Sequence, residues 1–77
     1  MKYNSTDLYL SCIILSYGIP LIEICRETEK RVSFTFDISP NKAEEIIQKH
    51  WNRELILPTR NLIEAIQELK QRIHSKI

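Results

Sequence analysis

Between Asp7 and Glu23 the chain carries no Lys, Arg, Asp or Glu, and only Ser11 and Ser16 interrupt the apolar run Leu8–Tyr17. This segment constrains the fold more than any other. It is too short to cross a bilayer, which takes about 20 apolar residues. Its two ends carry helix signals. Thr6 or Ser5 can cap the first turn by accepting from backbone N–H groups, and Asp7 then lies at the positive end of the helix dipole. Gly18 suits the left-handed residue that ends a helix, and Pro20 forbids continuation. A helix that is apolar nearly all the way round must be contacted on most sides. The rest of the chain therefore has to supply its cover.

Part of that cover reads as a small sheet. In Arg31–Ile38, Val32, Phe34, Phe36 and Ile38 alternate with Arg31, Ser33, Thr35 and Asp37. Period 2 marks a strand with one buried face. The preceding run, Pro20–Glu27, places Ile22 and Ile24 on the buried side and Glu23, Cys25 and Glu27 outside. The polar connection between the two runs reads as a β-hairpin.

The remaining cover is helical. Ser39 is an N-cap and Pro40 suits the first helical position. Ala43, Ile46, Ile47, His50 and Trp51 then fall on one stripe. Glu54–Leu57 reads either as an extended connection or as a short third strand, and Pro58 ends it. Thr59 can cap a last helix whose stripe is Leu62, Ile66, Leu69, Ile73 and Ile77. The expected fold class is α+β: an antiparallel hairpin packed against three helices, in the order α-β-β-α-(β)-α.

With 77 residues the chain is a single domain, residues 1–77, and so small a domain has a thin stability margin. It is 43% hydrophobic and 27% charged, ordinary for a globular domain. Residues 1–38 hold four basic and five acidic side chains, and residues 39–77 hold seven and five. That mild basic end is far from the excess of a dedicated nucleic-acid binder. Cys12 and Cys25 lie in apolar settings, and no secretory signal is recognisable. Reduced thiols and a cytoplasmic location are expected.

Several short stretches together resemble a known family. They are Thr6-Asp7-Leu8-Tyr9-Leu10, Gly18 closing the helix, Phe34-Thr35-Phe36, Leu62 with Ala65, and Leu69-Lys70. They resemble the small bacterial and phage proteins catalogued as domain of unknown function 5659, over nearly the whole chain. The resemblance implies a stand-alone small domain, often from a phage or mobile-element setting. It implies no active site and no cofactor.

Chemistry is sparse. Cys12, Cys25, His50 and His74 lack the paired spacing of structural zinc ligands. A reactive thiol needs a nearby base; Arg26 flanks Cys25, but nothing in the sequence brings His50 to it. Phosphate loops need glycines for close backbone approach, and Gly18 is the only one. No metal, no cofactor and no catalysis are expected. Nucleic-acid binding would use Lys49, Arg53, Arg60, Lys70, Arg72 and Lys76, the first two interleaved with Trp51. The favoured expectation is a protein-interaction module that self-associates or docks on a larger protein. Its first helix offers more apolar surface than so small a sheet covers, with Tyr9, Leu10 and Tyr17 as candidate anchors.

Overall fold

The computed structural model describes residues 1–76, with side chains as far as His74. Its elements are β1 (Tyr3–Ser5), α1 (Leu8–Ser16), β2 (Leu21–Arg26), β3 (Val32–Phe36), α2 (Pro40–Trp51) and α3 (Thr59–Lys76). The α+β class, the antiparallel β2–β3 hairpin and the three helices are as the sequence predicts. A third strand exists, but it is Tyr3–Ser5 and not Glu54–Leu57. Glu54–Leu57 has no regular secondary structure and is not a strand of the sheet.

The sheet order is β1-β3-β2, with both neighbours antiparallel to the central strand. Phe36 stands opposite Tyr3 on one side and Leu21 on the other, and Phe34 stands opposite Ser5 and Ile24. These side chains form the inner face. On the outer face the Asn4 amide donates to Thr35 Oγ1 at 2.9 Å. The register of β2 slips between Leu21 and Glu23, so Ile22 is the extra residue of a β-bulge. This corrects the strict alternation read from the sequence. Leu21 and Ile24 face inward, while Ile22 is exposed. A bulge opposes two residues to one and so resets which face follows.

Helix α1 packs on the inner face and touches both α3, more extensively, and α2. Cys12, Ile14, Phe34, Phe36, Ile47, Ala65 and Leu69 form one buried cluster. The expected central position of α1 follows from its composition, since apolar residues on every side need neighbours on every side.

The helix ends explain the connections. The α1 N-cap is Asp7, whose carboxylate accepts from the Leu10 N–H at 3.0 Å; Ser5 is already in β1, so the cap falls later than Thr6. Ser39 caps α2, accepting from Lys42 N–H at 3.3 Å, with Pro40 next. Helix α3 starts at Thr59, and its first bond runs from Leu62 N–H to the Pro58 carbonyl. Thr59 is thus the first helical residue.

Both α1 and α2 close with the same six-residue C-terminal motif. At α1, Ile19 N–H donates to the Ile14 carbonyl (3.4 Å) and Gly18 N–H to the Leu15 carbonyl (3.0 Å). At α2, Glu54 N–H donates to the Lys49 carbonyl (2.8 Å) and Arg53 N–H to the His50 carbonyl (3.1 Å). This is the Schellman arrangement, which puts the penultimate residue in a left-handed conformation. Gly18 takes it at φ 102°. A side chain there would meet nothing within 4 Å, so backbone conformation alone selects glycine. At α2 the position is held by Arg53, at φ 62°. A residue with a Cβ pays roughly 1–2 kcal/mol there.

Candidate interaction surface

The candidate residues of α1 divide. Leu10 is half-buried and packs against the core. Tyr9 and Tyr17 are 57% and 47% exposed. They lie eight residues apart, about 12 Å along the helix, and do not form one patch. Tyr9 sits under the Lys70 ammonium, 5.9 Å from its ring centroid. Tyr17 lines a groove of ≈ 470 Å³ with Ile19, Ile38 and Ile46, flanked by Lys42, Glu45 and Lys49.

The cations proposed for nucleic acid are spread out. Arg60 pairs with Glu64 (3.5 Å) and Arg72 with Glu68 (3.3 Å), each one turn apart on α3. Arg60 and Lys70 are ten residues apart, about 15 Å along that helix. Lys49 and Arg53 lie at the end of α2. The side chain of Lys76 lies outside the described residues, as does Ile77.

The largest apolar exposure falls where the sequence did not point. Trp51, read from its spacing as part of the α2 apolar stripe, is 64% exposed, and Ile56 in the following connection is 90% exposed. The fully buried part of the stripe ends at Ile47; His50 is half-buried and Trp51 exposed. The Trp51 ring rests tilted against His50, centroids 5.0 Å apart. The chain neighbours of Trp51 and Ile56 turn toward α1 and α3 instead. Ile13, His50, Arg53, Leu55, Leu57, Thr59 and Leu62 line a groove of ≈ 430 Å³ there. The only hint in the sequence was three aliphatic residues in a row, Leu55-Ile56-Leu57, in a segment with no second strand to pair with.

The two thiols are separated by the sheet. Cys12 is buried in the core and Cys25 is exposed on the outer face, opposite Ser33. Burial pushes the Cys12 thiol up to about 11; the Lys70 charge opposes the shift and Asp7 adds to it. Burial likewise raises the Tyr3 hydroxyl, with Glu44 and Asp7 contributing. His50 lies in the helical groove, so it is not brought to Cys25. Among the described residues no group of three or more His, Cys, Asp or Glu could hold a metal ion, and no helix is long and apolar enough to cross a membrane.

A three-stranded sheet covered on one face by three helices, with an apolar corner between α2 and α3, defines a small α+β domain whose notable surface is apolar. The chain belongs to the family described as domain of unknown function DUF5659, whose match spans residues 1–75. No curated protein and no solved structure matches it.

Proposed function

We propose that this chain is a small, cytoplasmic, non-catalytic protein-interaction module, which docks on another protein by the corner between α2 and α3. The observation that carries the reading is the exposure of Trp51 and Ile56, each next in the chain to residues that line an apolar groove, His50 for the first and Leu55 and Leu57 for the second. Large apolar side chains are costly to leave in water, and an apolar groove on a small domain is a place for a partner's side chain. Tryptophan is the side chain most enriched among interface anchors. The non-catalytic part of the proposal is supported by the separation of the thiols from His50. A cytoplasmic setting suits an exposed Cys25 thiol and a second thiol it cannot reach.

The test is a Trp51→Ser/Ile56→Ser double variant. Both side chains are exposed, so its melting temperature should stay close to that of the wild type. Self-association by sedimentation, or retention of protein partners on the tagged domain, should be lost. A wild type that is strictly monomeric and retains the same proteins as the double variant would refute the docking role.

The dispersed and partly neutralised cations favour no nucleic-acid site. Retention on heparin should therefore be weak and change little with salt, because few phosphates would be neutralised together. Tight retention with a steep salt dependence would reverse that judgement.

A further inference from the structure

We propose that the groove at the α2–α3 corner binds an acidic segment of the partner protein, seating a large aliphatic side chain while Arg53 holds a neighbouring carboxylate. The inference rests on the docking role proposed above and names the chemistry of the occupant. Ile13, Leu55, Leu57 and Leu62 give the groove an apolar floor, which suits an aliphatic side chain better than a polar one. The polar lining is Arg53, His50 and Thr59, and among the described residues no carboxylate lines it. Glu54, next to Arg53 in the chain, is exposed outside the groove. An anion beside the apolar anchor complements this wall, and guanidinium binds carboxylate through paired, charge-assisted hydrogen bonds.

The backbone supplies a second, independent observation. The two Schellman closures demand the same left-handed residue. The chain uses glycine at α1 and arginine at α2. Strain kept at a position where an unstrained residue is available points to a role for the side chain. Here the strained residue is the one that brings a cation to the groove. By fixing the Arg53 backbone, the motif also fixes the point on the groove wall from which the side chain starts.

The test pans a display library of random short peptides against the intact domain. Selected peptides should carry Asp or Glu beside Leu, Ile or Phe. Arg53→Gly relieves the left-handed strain, so its melting temperature should hold or rise while affinity for those peptides falls about tenfold or more. Arg53→Glu should shift selection toward peptides with Lys or Arg. Peptides that need Trp51 and Ile56 but ignore both Arg53 variants would overturn the acidic partner and leave the docking role standing. A library that yields no binder would overturn both. A dimer that masks the groove in sedimentation would seat a second copy there and overturn the proposal as well.

Discussion

Phe34→Ala is expected to destabilise the domain by about 3–5 kcal/mol, the usual cost of emptying a buried aromatic site. Phe34 is 1% exposed, lies on the central strand, and touches the cluster shared by α1, α2 and α3. The cluster that joins the sheet to the helices would lose its central-strand aromatic, and neighbours on a paired central strand cannot easily collapse into the space. The total stability of so short a chain is about 4–12 kcal/mol. The variant should therefore be partly or wholly unfolded at 37 °C. Thr35→Val on the outer face of the same strand is the control. It removes one exposed hydrogen bond, with Asn4, and should cost no more than about 1 kcal/mol. Urea midpoints at unchanged slope measure both. A Phe34→Ala loss below that of the control would contradict the core described above.

Alkali should unfold the protein earlier than its net charge suggests. The folded Cys12 thiol titrates at about 11, above its ordinary 9.0, because ionising it would place a charge in the apolar core. As pH rises past 9, the unfolded chain ionises first and the equilibrium moves toward it. The stability associated with the neutral thiol is thus complete below pH 9 and lost between about 9 and 11. Two units of pKa correspond to about 3 kcal/mol. The Tyr3 hydroxyl, also raised, acts in the same sense. Denaturation midpoints across this range should fall, and fall less in Cys12→Ala. Thiol labelling at mild pH gives a direct view: the exposed Cys25 should react at once and Cys12 only on unfolding. Equal labelling of both in the native protein would remove the basis of the alkaline effect.

These predictions draw on features that were unequally legible in the sequence. The C-terminal end of α1 was visible because Gly18 and Pro20 have few other uses, and the start of α2 because Ser39-Pro40 combines a cap with a fixed φ; the α1 cap was not, since Ser5, Thr6 and Asp7 are all good caps. The hairpin was visible in the alternation of β3. Strand β1 was not, since three polar or mixed residues carry no measurable period; only pairing with Phe34–Phe36, some thirty residues later, makes Tyr3–Ser5 a strand. Ile22 was misassigned because a bulge leaves no mark in the alternation it interrupts. The candidate surface was the least legible part. Helical spacing put Trp51 on the buried stripe, yet spacing cannot show where the neighbouring layer stops. The helix itself ends in a turn at Arg53, whose left-handed backbone has no glycine to announce it. Tyr9 and Tyr17 were legible as candidates, but not that Lys70 would lie over one and a mixed-charge groove beside the other.

The bulge at Ile22 has a consequence for how the protein behaves in crowded solution. Strand β2 is an outer strand of the sheet, and Leu-Ile-Glu-Ile-Cys-Arg is rich in residues that stack well in fibrils. A straight edge of that composition would be a template for chain-on-chain growth. The extra residue bends the row of outward amides and carbonyls, and Glu23 sets a like charge against any copy added in register. The irregularity that hid the strand's register is thus also the kind of feature that discourages a further chain from pairing on a sheet edge.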